Sequence, residues 1–126
     1  MGLIYADIEI TNLLATDAEP YFTKALVDTG ALHLCIPQHI SFQLKLKQLE
    51  EREVTIADGS KKLVPYVGPI KITFKNRSCF TGAMVLGEEV LLGAIPMEDM
   101  DLIVQPALLK VTVNPESPNI PMSVAK

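Results

Sequence analysis

The residues best suited to chemistry lie in Ala25-Leu26-Val27-Asp28-Thr29-Gly30-Ala31. A carboxylate stands at the end of an apolar strand, followed by a small hydroxyl residue and a glycine. The apolar lead-in predicts that Asp28 is poorly solvated. Desolvation disfavours the charged form of a carboxyl group, and groups perturbed in this way concentrate at functional sites. The chemistry open to such a group is general acid–base work. The same residues also suit an ordinary turn, in which Asp28 bonds its own backbone and Gly30 supplies a positive φ. At the level of this segment both readings stand.

Other candidates are weaker. His33, Cys35 and His39 are close in sequence, and His33 and Cys35 would face one side of a strand. With Cys79 they would make a donor set suited to Zn²⁺. Their spacing matches no common zinc motif, and a free Cys is usually a small buried hydrophobe. The expectation is therefore no metal, with His33 at the border of a cleft and His39 on a helix surface. Ser60 and Ser78 lack the His/Asp partner pattern of a serine hydrolase. Met97 and Met100, at helical spacing, read as core filler. Glu50-Glu51-Arg52-Glu53 and Lys61-Lys62 read as cross-strand charge pairing on a solvated face.

The elements that must position these residues are short strands. Ile4, Ala6, Ile8 and Ile10 alternate with polar residues over 3–10, the pattern of a half-buried strand. Tyr21 to Val27 is a second strand, and Leu32, Leu34 and Ile36 alternate in a third. Pro37 opens a short helix with Ile40 and Leu44 one turn apart. Strands over Arg52–Ala57 and Ser60–Val67 flank Asp58-Gly59, which predicts a hairpin with a type I′ turn. Ile70 to Phe74 and Cys79 to Leu86 follow, then the fully apolar Val90-Leu91-Leu92-Gly93. A short helix over Ile95–Met100 would have Pro96 in its first turn and Glu98 and Asp99 near its positive end. Leu102 to Val104 and Leu109 to Val113 are the last strands. About nine strands and at most two short helices predict an all-β fold, a small closed or folded-over barrel.

This order resembles the retropepsin family of aspartic proteases, in particular its non-viral, bacterial-type members. The matching pieces are Ala25 to Ala31, Ile56-Ala57-Asp58-Gly59-Ser60 thirty residues after Asp28, and Val90-Leu91-Leu92-Gly93 before a short helix. The order of elements and their approximate spacing cover residues 3 to about 113. The resemblance implies a barrel of the acid-protease type. It makes Asp28 the catalytic carboxylate and Thr29 a support whose hydroxyl bonds across a two-fold axis. Gly30 would let substrate backbone approach closely, and Ala31 would support the active site. Ala57, Asp58, Gly59 and Ser60 would form the tip of a flap over the substrate, and Leu92 and Gly93 would pack behind the Asp28 loop. Viral members carry acidic residues after Asp-Thr-Gly-Ala, where this chain has Leu32-His33. One chain holds one Asp-Thr-Gly, so a catalytic pair of aspartates implies a homodimer. The implied activity is hydrolysis of a peptide or protein substrate without cofactor or metal. The alternative is a non-catalytic dimeric module that binds peptides or proteins.

Composition narrows the rest. The chain has 126 residues, 48% of them hydrophobic, which predicts a single globular domain. We place it at 1–113, with 114–126 as a flexible tail or an extended dimer arm. Eleven Lys and Arg against 15 Asp and Glu give a net charge of −4, with no basic stripe for nucleic acid. No apolar run approaches the ~18 residues of a membrane span, and the N-terminus has no basic start or long apolar stretch. Two Cys make no disulfide framework, so a reducing cytoplasm is the expected setting.

Overall fold

The structure is a computed structural model that describes residues 2–15 and 17–125. Its strands are β1 (Tyr5–Asn12), β2 (Tyr21–Val27), β3 (Leu34–Ile36), β4 (Lys47–Thr55), β5 (Lys61–Phe74), β6 (Arg77–Val85), β7 (Leu91–Leu92), β8 (Leu102–Gln105) and β9 (Lys110–Val113). Two short helices, α1 (Gln38–Gln43) and α2 (Ala94–Asp99), complete the set with a 3₁₀ turn over Pro106–Leu108. The strands run β1-β2-β7-β3-β6-β5, and β5 pairs back with β1. Six strands thus close into a barrel, and the chain is all-β with two short helices. Among the described residues, β4 pairs only with β5 and stands outside the closure, as one arm of a long hairpin.

Alternation fills the barrel. Ala6, Ile8 and Ile10 of β1 point inward against Ile70, Ile72 and Phe74 of β5 and Cys79 and Ala83 of β6. Each fully buried Ile or Leu contributes about 1.5–3 kcal/mol. Pro37 caps α1, whose Ile40 is buried in the core together with Leu44 one turn later. From α2, Met97 enters the same core, as does Met100 just beyond it. A second, smaller cluster joins Cys35, Val64 and Met84 with the half-buried Val54, Tyr66, Leu86 and Leu91.

One feature of the topology fixes the position of Asp28. β7 lies between β2 and β3, parallel to β2 (Leu26↔Leu91, Val27↔Leu92) and antiparallel to β3 (Leu34↔Leu92). β2 and β3 are consecutive in sequence, so the segment 28–33 that joins them must cross the end of β7. The apolar, non-alternating Leu91-Leu92 fits this place, with strands on both sides and Leu92 fully buried.

Several local expectations are corrected. The hairpin tip is not a type I′ turn on Asp58-Gly59. Gly59 N donates to Ile56 O at 2.8 Å, so Ala57 and Asp58 are the central residues. Gly59 alone takes positive φ (87°), and Ser60 O accepts from Ile56 N at 2.9 Å. The Asp58 side chain favours this form, because it accepts from Ser60 N at 2.8 Å. The strands expected over 60–67 and 70–74 are one 14-residue β5, with a register shift at Gly68-Pro69 that lets it bend around the barrel. α2 begins at Ala94, so Glu98 and Asp99 lie in its last turn, away from its positive end. β1 runs two residues past Ile10 because Asn12 is buried and bonded: its Nδ2 donates to Leu44 O at 2.8 Å and its Oδ1 accepts from Leu14 N at 2.9 Å. Apart from these corrections, residues 114–122 are bonded to the rest of the chain at three places. Arg77 Nη2 donates to Ser117 O, Asn76 Nδ2 to Pro118 O at 2.9 Å, and Met122 N to Asp101 Oδ2 at 2.9 Å.

Candidate active site

Asp28 follows the last residue of β2 and is held from behind by main-chain bonds. Val27 N donates to Ile4 O at 2.8 Å, and Asp28 N to Leu92 O at 3.1 Å. Ala31 N then donates to Asp28 O at 3.1 Å, closing a turn over Asp28-Thr29-Gly30-Ala31. The loop is pinned to the start of α2, since Ala94 N donates to Ala31 O at 2.9 Å and Ile95 N to Leu32 O at 2.8 Å. Gly93 makes this close approach possible. A Cβ there would stand 2.6 Å from Leu32 C and 2.7 Å from His33 N, and nearer still to His33 O.

The Asp28 side chain bonds within its own loop, with Oδ1 accepting from Gly30 N at 3.0 Å. That is the turn-capping half of the ordinary reading. The other half is corrected: Gly30 does not take positive φ. The reason for glycine is space, because a Cβ at position 30 would lie 3.1 Å from Asp28 Oδ1. Asp28 is half-buried in the single chain rather than sealed off, Ala31 is half-buried, and Thr29 and Gly30 are exposed.

Beside this loop lies a cavity of about 420 Å³. Its walls are Gly30 to His33 and Cys35 on one side, Arg52 to Thr55 of β4 on another, and Met84 and Leu86 at the end of β6. A larger hollow of about 530 Å³ opens on the outer faces of β1, β2 and β5. It contains no residue of the Asp28 loop, so the smaller cavity is the candidate site. Burial pushes the Cys35 thiol pKa up, and the nearby charge of Asp28 adds to this. The thiol there is a poor nucleophile. Burial also lowers the pKa of His33, helped by the positive charge of Arg52.

The hairpin formed by β4 and β5 supplies the outer wall through Arg52–Thr55. Its tip residues Ala57, Asp58, Gly59 and Ser60 are exposed and do not line the cavity. Ser60 Oγ donates to Asp58 Oδ1 at 2.6 Å, and with the Ser60 amide this holds the Asp58 pKa below the usual carboxylate value.

His33 and Cys35 both line the cavity, while Cys79 is buried in the main barrel core and His39 is exposed on α1. Among the described residues, no three of His, Cys, Asp and Glu converge as metal ligands would. Also among the described residues, no helix is long and apolar enough to cross a membrane.

Two residues at the site lay outside the sequence reading's candidates. Tyr66 fills the space beside Gly82, and Arg52 stacks on it with its guanidinium carbon 4.0 Å from the ring centroid. By charge alone, Arg52 reads as one of the solvated cross-strand charges. Among the described residues, Glu53 and Lys61 alone make such a contact, at 3.8 Å, whereas Arg52 is half-buried and bonds Glu50 along its own strand at 2.7 Å. The available signal was its parity: Arg52 shares the inward side of β4 with Val54.

Comparison with protein-family models and with curated proteins gives no match to this sequence. The functional reading therefore rests on the chain's own residues and their geometry.

Proposed function

We propose that this chain is an aspartic endopeptidase of the retropepsin type, acting as a homodimer in which two copies each contribute Asp28. The observation that carries the reading is the Asp28 loop. One carboxylate stands on a turn braced by β7 and α2, beside a cavity walled by a long hairpin. A loop braced in this way holds its carboxylate in a fixed place, which acid–base chemistry needs.

Two carboxylates about 3 Å apart cannot both ionise cheaply, so they share one proton, as is established for aspartic proteases. The ionised Asp28 takes a proton from a water molecule while that water's oxygen attacks the peptide carbonyl carbon. The protonated Asp28 donates to the carbonyl oxygen as it gains charge. Collapse of the tetrahedral species then breaks the C–N bond, and the proton passes to the leaving amine. These steps need no metal or cofactor.

The surface is compatible with pairing of two copies. Thr29 and Gly30 are exposed beside Asp28, so their groups are open to a partner. Leu3, Leu108 and Leu109 are exposed apolar residues, and Gly2 lies against the Leu109 side chain. The chain start and the tip of the β8–β9 hairpin thus form one apolar edge suited to a self-complementary, two-fold contact.

The test is Asp28→Asn, which is nearly isosteric but cannot accept the water's proton. Cleavage of denatured proteins should fall by about 10³-fold or more. Melting temperature and oligomeric state should stay as in the parent. Undiminished cleavage would contradict the proposal. Peptide binding by a parent chain that never cleaves would favour a non-catalytic binding module.

A further inference from the structure

Three side chains that the catalytic steps do not use meet at one end of the cavity. Tyr66 of β5 is fixed by its hydroxyl, which accepts from Gly82 N at 3.1 Å. Its ring occupies the space a side chain at position 82 would take, since a Cβ there would lie 2.5 Å from ring carbon Cε2. The Arg52 guanidinium lies over one face of this ring at 4.0 Å. His33 meets the ring edge-on, with centroids 6.3 Å apart and planes at 74°. Arg52 and His33 both line the cavity.

Arg52 is mounted rather than free. Nε donates to Glu50 Oε2 at 2.7 Å, which fixes one edge of the guanidinium. Among the described residues, this is the hydrogen bond that the Arg52 side chain makes, and its Nη groups are left for another acceptor. Glu50 is paired with Arg52 through Nε, and the carboxylate of Glu53, which also lines the cavity, is turned to Lys61 at 3.8 Å. His33 is held below its ordinary pKa, so it is neutral near pH 7. Arg52 is then the one cation among the described residues that line the cavity, and Leu32, Val54, Met84 and Leu86 make the lining apolar around it.

We infer that this corner is a subsite for an acidic side chain of the peptide substrate. The Glu or Asp carboxylate of the peptide accepts from the two Nη groups of Arg52, and flanking apolar residues pack on Leu32, Met84 and Leu86. The inference rests on the peptidase reading for its peptide. A planar guanidinium stacked on a fixed ring is pre-organised for two parallel bonds to a carboxylate, so little side-chain freedom is lost on binding.

The experiment uses the chain carrying Asp28→Asn, which can bind peptides without cutting them. Fluorescein-labelled octapeptides with random apolar residues and one central Glu are compared by anisotropy with the same pool carrying Gln. The Glu pool should bind about five- to tenfold tighter. Arg52→Gln in the same background should abolish the difference between the two pools. Arg52→Lys, which keeps the charge without the fork, should retain only about a twofold preference. Equal binding of the two pools, a preference that survives Arg52→Gln, or no binding of either pool would overturn the subsite. Cleavage of the same peptides by the chain with Asp28 intact is read separately. Glu preference without cleavage sinks the peptidase reading alone, and cleavage without Glu preference sinks the subsite alone.

Discussion

The amide of Gly30 donates to Oδ1 of Asp28 at 3.0 Å, and a Cβ at position 30 would stand 3.1 Å from that same oxygen. Donor and empty space come from one residue. The carboxylate is oriented by the bond, and the missing side chain lets it lie back against its own turn.

Gly30→Ala should therefore act on the carboxylate more than on the fold. The added methyl asks Asp28 Oδ1 to give way by a few tenths of an ångström in an exposed loop with ordinary φ. Stability should fall by less than about 1 kcal/mol. Small displacements of a reacting group are expensive in rate, so kcat should fall by about tenfold or more. Urea melts and peptidase kinetics on one preparation check both, and an unchanged kcat would show that this contact does not position the carboxylate.

Gly93→Ala should do the reverse. Here the new Cβ meets the backbone of Leu32 and His33, which cannot rotate away as a side chain can. The cost should reach about 3 kcal/mol, the upper end for overpacking. Gly59→Ala is the comparison: its φ is 87° but nothing lies within 4 Å, so only backbone strain of about 1–2 kcal/mol applies. Denaturant midpoints should rank Gly93→Ala well below Gly59→Ala, and equal midpoints would contradict the packing argument.

Asp101 ties residues 114–122 to the barrel in a pH-dependent way. Its carboxylate accepts from Ser117 Oγ, from Met122 N and from Asn114 Nδ2, and these bonds bring its pKa down to about 2, with a small contribution from the charge of Arg77. A depressed folded pKa means that the attachment is fully present above the ordinary value of 3.8. It should be lost as pH falls from there through about 2. Protection of the Met122 amide, taken relative to an unfolded chain at the same pH, should therefore be high at pH 5 and fall as the pH approaches 2. Asp101→Asn should remove that pH dependence. Protection at Met122 that is unaffected by the substitution would rule out this attachment.

Sequence alone made much of this legible, and the reason is periodicity. Ala6, Ile8 and Ile10, and Ile70, Ile72 and Phe74, each declare one buried face, and Ile40 with Leu44 declares one helical turn. Such patterns depend only on neighbours, so they survive without knowledge of the fold. The Asp28-Thr29-Gly30 loop was legible for a similar reason, as a polar break at the end of an apolar run. Contacts between distant residues were not. Asn12 is buried because it bonds Leu44 O, 32 residues away, and Arg77, only 1% exposed, donates to Ser117 O, 40 residues away. Neither partner leaves a mark at the other's position in the sequence. The charge of Arg52 points to a solvated face, but its parity with Val54 places it on the half-buried side of β4. At the hairpin tip, Asp-Gly suits two turn types, and the Asp58–Ser60 bond decides between them.

The central claim is that two Asp28 carboxylates, one from each of two chains, do the chemistry together. Parent and Asp28→Asn chains should be unfolded together, refolded at fixed total concentration, and assayed for cleavage of a denatured protein as the parent fraction is varied. A dimer that needs both carboxylates predicts activity proportional to the square of the parent fraction, so an equal mixture should retain about one quarter of the parent's activity. Activity that falls only in proportion to the parent fraction, leaving about half in the equal mixture, would mean that each chain works alone and would contradict the account.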